Sequence, residues 1–405
     1  MYNTVYNIAM CLMVLTIKFC ALFKKKMYHR KKGSKQIWQK LSIADKTAKY
    51  IWVHVASFGE FEQGRPVIET IKEKNPEAKI LLTFFSPSGY EICKNYPLAD
   101  IVCYLPIDTP RNARRFVNAI QIEKAIFVKY EFWRNILSEL KKREIPTYLI
   151  SSTFRKNQLF FSPCGISHRK VLNCFTHIFV QNESSKNLLQ KINIHDVTIS
   201  GDTRFDRVVK IAQNAKQFPL IRIFAESQNV LVAGSTWEKD EKIIIKHFNK
   251  NHSQKLIIAP HEISKHRLEV LCSKIKRPYV KYSEATEENV TQADCLVIDG
   301  FGLLSSIYQY GSLAYIGGGF GVGIHNTLEA AVWKIPIIFG PNYQKAEEAK
   351  DLIACGGAIS VTNQEEYKKA LTQLLNEKNA GEQAGIYVQQ HAGSTDLIMN
   401  LIFRD

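Results

Sequence analysis

The sequence has no G-x-x-x-x-G-K-[ST] run, no Asp-x-Asp pair and no clustered His/Cys spacing, so neither a phosphate-binding P-loop nor a transition-metal site has sequence support. A reaction without metal or cofactor is the expectation. Its nine cysteines are odd in number and include no C-x-x-C pair, which argues against a disulfide framework and a zinc site and favours a reducing, cytoplasmic location. Acidic residues are scarce, 38 Asp and Glu against 54 Lys and Arg, and the net charge of +16 suits an anionic partner: a nucleotide, a phosphorylated lipid, a membrane surface or nucleic acid. There is no low-complexity tract beyond a basic one near the start, and no literal repeat. A chain of 405 residues with 45% hydrophobic content is long enough for two packed cores.

Val5 to Phe23 is largely apolar, broken by Asn7 and Lys18, and is about the ~20 residues that a spanning helix needs. Lys24, Lys25, Lys26, Arg30, Lys31, Lys32 and Lys35 follow it and no Lys or Arg precedes it, so the positive-inside rule keeps the rest of the chain cytoplasmic. A cleaved signal peptide would carry its charge on the other side. The alternative is an amphipathic helix lying in the membrane interface with Lys18 snorkelling. Residues 1–35 are therefore expected to form an anchor and basic tract whose removal leaves both cores folded.

Short apolar runs then alternate with amphipathic helical stretches: Ile51–Ser57, Lys79–Ser86, Asp100–Pro106, Lys124–Tyr130, Pro146–Ser152, His177–Asn182 and Asp196–Gly201. The pattern lapses around Gln213 to Gln228. It restarts with Asn229–Ser235, Gln254–Pro260, Pro278–Ser283, Asp294–Asp299, Leu313–Gly319, Pro336–Pro341 and Ala358–Val361. Continuous apolar strands joined by helices predict parallel sheets covered on both faces. The expected fold is α/β: two Rossmann-like doubly wound domains, 36–212 and 213–405, facing each other across a cleft in the manner of GT-B nucleotide-sugar transferases.

The chain is organised around Ala314 to Pro341. Gly317, Gly318, Gly319, Gly321 and Gly323 predict a loop with accessible backbone N–H groups, and Asn326 to Trp333 has helical spacing with Glu329 one turn inside. Glu329 suits ribose hydroxyls; a tight turn with a solvated Glu is the equal alternative. Ser235, Thr236, Pro260 and His261 lie at strand-to-helix turns of the same half and complete a phosphate-and-ribose pocket, although Ser235 alone reads as a helix cap. His325 is a phosphate donor or a loop-ordering residue. In the first half, Glu60 of Ser57-Phe58-Gly59-Glu60 is a strand-end acid, but S-x-x-E is also a capping box. Glu131 holds the matching place after the fourth strand, or favours a helix dipole. Arg204 faces a phosphate, or pairs with Asp202 or Asp206.

Taken together, HVASFGE, TFFSPSGYE, YLPIDTPRNARRF, YEFWRN, GDTRFD, AGSTWEKDE, GGGFGVGIHNTLEAA and IIFGP run in the order and spacing of the 3-deoxy-D-manno-octulosonic acid (Kdo) transferases of lipopolysaccharide synthesis, which the chain resembles over nearly its whole length. The resemblance implies a GT-B fold, a CMP-Kdo donor, a lipid A precursor as acceptor, no metal, no nucleic acid, and an N-terminal membrane anchor with catalysis on the cytoplasmic side of the bacterial inner membrane. It further implies that Glu60 is the general base and Glu131 a second acidic residue. CMP contacts would fall on Pro260, His261, Phe301, Gly302, Leu303, Asn326, Thr327, Leu328 and Glu329. Lys129 and Leu303 stand where the family commonly has Glu, and His261 and Thr153 where it often has Arg. Two other readings remain from the residues: a soluble nucleotide-sugar epimerase of the same fold, and a membrane-tethered basic protein that binds anionic lipid or nucleic acid without catalysis.

Overall fold

Each apolar run named above forms a strand, and the strands make two seven-stranded parallel sheets. The structure, a computed structural model, describes residues 2–226, 229–321, 323–377 and 379–404. The first sheet contains β1 (Lys49–Val55), β2 (Lys79–Phe84), β3 (Ile101–Tyr104), β4 (Gln121–Val128), β5 (Thr147–Ser152), β6 (His177–Val180) and β7 (Val197–Ile199), in the order β3-β2-β1-β4-β5-β6-β7. The second contains β8 (Val230–Thr236), β9 (Lys255–Pro260), β10 (Tyr279–Lys281), β11 (Cys295–Val297), β12 (Leu313–Ile316), β13 (Ile337–Phe339) and β14 (Ala358–Ser360), in the order β10-β11-β9-β8-β12-β13-β14. Burial on both faces explains why the strands read as continuous apolar runs: in β1 every residue after Lys49 is buried.

In each sheet the strand order reverses beside the first strand of the unit, between β1 and β4 and between β8 and β12. Crevices that take ligands in open α/β sheets lie outside the carboxyl ends of the strands at such a reversal.

The division of the chain differs from the sequence expectation. Unit 1 comprises Met1–Arg207 with Ala392–Asp405, and unit 2 comprises Val208–His391. The C-terminal helix Ser394–Ile402 belongs to unit 1 because Ile398, Met399 and Ile402 are buried in its core. Asp206 fastens that helix by accepting from the Gly393 and Thr395 N–H groups at 2.5 and 2.6 Å.

Residues 2–35 likewise pack as part of unit 1 rather than forming a separate segment. Helix α2 (Lys25–Ser42) buries Arg30, Ile37 and Leu41. The Arg30 guanidinium lies over the rings of Phe85 and Tyr104, 5.1 and 4.6 Å from their centroids, and donates to the Leu105 carbonyl at 2.6 Å. Burial pulls its pKa down to about 10. At Gly33 a Cβ would stand 2.1 Å from a Tyr104 ring carbon, so only glycine admits this approach.

Helix α1 (Tyr2–Cys20) docks through Met10 and two polar bonds: the Tyr6 hydroxyl to Asp108 at 2.6 Å, and Asn135 to Asn7 at 2.9 Å. Its outer face carries Val5, Ile8, Leu12, Leu15 and Phe19, all exposed. Among the described residues no helix is long and apolar enough to cross a membrane. The apolar run ends at a turn after Cys20, which corrects the expectation of a spanning segment.

Candidate active site

Both carboxylates singled out in the first half flank the crevice of unit 1, Glu60 after β1 and Glu131 after β4. Helix α3 (Phe58–Lys74) begins just beyond Ser57, whose side chain makes no cap bond. The Ser57 hydroxyl instead donates to the Glu60 carboxylate, so the capping box that S-x-x-E allows is not formed. Glu60 is half-buried at this edge.

Glu131 is turned inward. Its Oε2 lies 3.0 Å from Nε2 of the wholly buried His54 and accepts from the Trp133 indole N–H at 2.6 Å. Arg204 takes the ordinary alternative: its Nε and NH2 groups bond Asp202 at 3.0 and 2.9 Å. Burial alone would raise the Asp202 pKa, but the Arg204 charge and hydrogen bonds, with Lys129 nearby, bring it below the usual carboxylate value. Thr153 bonds the Tyr130 hydroxyl.

In unit 2 the predicted residues line the carboxyl edge of adjacent strands, but the glycine loop differs from expectation. The N–H groups of Gly317, Gly318, Gly321 and Gly323 are bonded to Gly234, Asp240 and Gly318 rather than left open. A buried loop must satisfy its own backbone. The glycines serve close packing: a Cβ on Gly317 would lie 2.2 Å from the Ser235 carbonyl oxygen, and one on Gly319 2.6 Å from Gly340. The expected helix from Asn326 to Trp333 is shorter, Leu328–Ala331.

Asp240 organises this edge and went unnoticed in the sequence. Its carboxylate accepts from the Trp237 and Gly318 N–H groups, both at 2.9 Å, and from the Tyr315 hydroxyl at 3.0 Å. Burial pushes its pKa up against these bonds. The signal was available as an acid three residues after the helix-capping position, now occupied by Trp237 rather than Ser235. Ser235 takes the left-handed φ of 53°, and among the described residues its hydroxyl has no bonded partner. Thr236 is buried on Glu241 at 3.1 Å, and Glu241 pairs with Arg267.

His261, exposed beyond the buried Pro260, stacks between Trp237 and His325 with ring centroids 4.6 Å from each. Phe301 and Gly302 are exposed and Leu303 half-buried. Asn326 donates to Glu329 at 3.3 Å and accepts from the Leu328 N–H. Thr327 and Leu328 side chains are fully buried, which leaves Asn326 and Glu329 as the side chains of that motif within a ligand's reach.

Burial, with the neighbouring His261, lowers the His325 pKa to about 4. At neutral pH its Nε2 therefore accepts from the Trp237 indole, 3.2 Å away. The unfolded chain takes up this proton near the ordinary value of 6.5, whereas the folded unit does so only near 4. The stabilisation is thus complete above pH 6.5 and is lost as pH falls towards 4. Urea unfolding at the two ends of this window should show His325→Gln losing roughly 2–3 kcal/mol less than the parent chain. Equal losses would show that His325 does not titrate in this way.

Residues 27–207 match the family model of 3-deoxy-D-manno-octulosonic-acid transferase (kdotransferase). The chain is 30% identical over 336 residues to the 3-deoxy-D-manno-octulosonic acid transferase of Aquifex aeolicus, covering 81% of this chain and 86% of that one. Among solved structures, a putative UDP-N-acetylglucosamine 2-epimerase from Listeria monocytogenes superimposes with a TM-score of 0.59 at 10% identity, over 88% of this chain and 97% of that one. MurG from Acinetobacter baumannii does so with a TM-score of 0.55 at 11% identity, over 88% and 100%. At such identities these likenesses speak for the fold alone, which is GT-B.

Proposed function

Because the chain belongs to the family of Kdo transferases, we propose that it carries Kdo from CMP-Kdo to a lipid A precursor of the lipid IVA type. As a member of that family it is a glycosyltransferase, and the epimerase reading keeps only the shared fold. The observation that carries the proposal is the placement of Glu60 and Glu131 on the two sides of the unit 1 crevice.

In this reaction a hydroxyl of the acceptor attacks the anomeric carbon of Kdo. The new C–O bond forms as the bond to the phosphate oxygen breaks, CMP departs, and Glu60 takes the hydroxyl proton. A single displacement inverts the anomeric carbon. The leaving group places its charge on one phosphate, for which the stacked His261 and the Ser235 hydroxyl, unbonded among the described residues, are donors on the unit 2 edge. No divalent ion is required by this scheme, and no nucleic acid takes part.

The exposed apolar face of α1, followed by the exposed Lys24, Lys32 and Lys35, suits a helix lying in the interface of an anionic bilayer. Attachment to the cytoplasmic face of the inner membrane would bring the protein to a lipid acceptor. Flotation with anionic vesicles tests this part separately from catalysis.

Incubation with CMP-Kdo and a tetra-acylated lipid A precursor, followed by mass spectrometry of the lipid, should show the mass rise by one or more Kdo units. An unchanged lipid would overturn the proposal. For the donor site, Glu329→Gln should weaken CMP binding by roughly 1–3 kcal/mol in calorimetry, the usual loss when a hydrogen bond to a charged group is disrupted. Unchanged affinity would reduce Glu329 to a partner of Asn326.

A further inference from the structure

His54 is a titratable side chain with no exposure, set in the middle of the first sheet, and the transfer scheme above gives it no task. In register it lies between Thr83 of β2 and Phe127 of β4. Its Nδ1 is 2.8 Å from the Thr83 hydroxyl, which itself accepts from the Trp52 indole at 2.8 Å. On the other side Nε2 is 3.0 Å from the Glu131 Oε2.

The grip on Glu131 belongs to one of the two ring tautomers. A hydrogen bond from the ring to the carboxylate oxygen needs the hydrogen on Nε2, with the Thr83 hydroxyl donating to Nδ1; the other tautomer would place Nδ1–H on the Thr83 carbonyl, 3.2 Å away, and leave Nε2 to accept from the Trp133 indole at 3.0 Å. Trp133 can only donate; its indole N–H lies 3.0 Å from Nε2 and 2.6 Å from the Glu131 oxygen, and with Nε2 protonated it adds a second hydrogen to that oxygen. Glu131 is thus gripped by one oxygen from two sides. Among the described residues no bond reaches its Oε1, and the side chain keeps 11% of its exposure at the carboxyl edge of the sheet.

The backbone supports the same arrangement. Lys129, two residues before Glu131, is held at the left-handed φ of 71°, with its N–H bonded to the Ile150 carbonyl at 2.9 Å. A conformation that costs a non-glycine residue energy is retained where it aims the chain.

We propose that His54 is a positioning residue, which by holding the inner oxygen of Glu131 sets its outer oxygen as a fixed hydrogen-bond acceptor for a hydroxyl of the acceptor sugar. This role rests on the transfer function proposed above. Carboxylate–histidine pairs of this kind orient the group that meets the ligand, and their loss typically costs 10–100-fold where measured at metal sites. The same chain Trp52–Thr83–His54–Glu131 would equally satisfy buried polar groups with no consequence for turnover, so the test must separate orientation from packing.

His54→Phe fills the space and removes the donor, whereas His54→Gln keeps an N–H at the end of a shorter, uncharged side chain. Expected is a fall in kcat of roughly 10–100-fold for the Phe variant, with the KM for CMP-Kdo within about twofold. The Gln variant should recover at least a third of the lost factor on a logarithmic scale. Retention of more than half the turnover by His54→Phe overturns the role, as does a Gln variant no better than Phe with both chains melting normally.

A second measurement does not depend on turnover, and so separates this role from the transfer function itself. Nitrogen NMR of the full chain labelled at histidine should show an Nε2-bound proton on His54, protected from exchange and displaced in Glu131→Gln. A ring with a bare Nε2, or a signal indifferent to that substitution, would refute the grip on Glu131 whatever the parent chain catalyses.

Discussion

Glu60→Gln is expected to lower turnover by on the order of 10² or more while melting temperature and CMP affinity stay close to those of the parent chain. The change removes a proton acceptor and little else. The Ser57 hydroxyl that now donates to the Glu60 carboxylate finds an amide oxygen in the variant, and there is no cap bond from Ser57 to lose. Steady-state kinetics with CMP-Kdo and the lipid acceptor, beside calorimetry with CMP, measures the two properties separately. Should the variant keep most of its turnover, the base lies elsewhere and Glu131, whose Oε1 is unbonded among the described residues at the same sheet edge, is next. Should stability and CMP affinity fall together with turnover, the carboxylate holds structure rather than performing chemistry.

The strands were legible because burial on both faces leaves a mark that survives in one dimension: runs such as AIFV and LIIA contain no polar interruption and are bounded by polar or turn residues. The strand-end positions of Glu60, Glu131 and Ser235 followed from that. What the residues do there was less legible, since S-x-x-E is compatible with two geometries and only the φ and ψ of Ser57 and its actual partner decide between them. The glycine loop lies where the sequence puts it, but the N–H groups of Gly317, Gly318, Gly321 and Gly323 are bonded within the protein, which glycine spacing does not reveal. The acceptor of the Gly318 N–H, Asp240, lies 78 residues earlier in the chain, and nothing local announces such a pair. His54 was missed for the same reason, being 77 residues from Glu131 and indistinguishable in sequence from any histidine in a strand.

The basic tract misled through composition. A tract with seven basic residues after an apolar run reads as a solvated flank, yet Arg30 is 2% exposed. Its partners Phe85 and Tyr104 are each more than fifty residues away in the chain. A guanidinium between two rings satisfies burial that hydropathy treats as forbidden.

That packing makes two truncations behave differently. Removal of residues 1–35 should abolish the cooperative melting of unit 1, because the cut falls inside α2, takes Arg30 and Gly33 away and exposes the rings of Phe85 and Tyr104. Ile37 and Leu41, nearly unexposed in the intact chain, would be left on a stub of α2 too short to nucleate a helix. Each such side chain contributes roughly 1.5–3 kcal/mol when buried. With the Arg30 contacts, the loss approaches about 5 kcal/mol, a large part of the ~5–15 kcal/mol by which a domain is stable. Removal of residues 1–23 instead leaves α2 whole and gives up the Tyr6–Asp108 and Asn7–Asn135 bonds with the burial of Met10 and Ala21. Burial pushes the Asp108 pKa up to about 6, so an ionised Asp108 is already costly at neutral pH, and opening it to water offsets part of what α1 contributed. The shorter truncation should therefore melt within a few degrees of the intact chain and fail to float with anionic vesicles, while the longer one loses the heat absorption of unit 1 in calorimetry. If the longer truncation melts as the intact chain does, α2 is dispensable to the core, and residues 1–35 form the separable segment that their composition suggested.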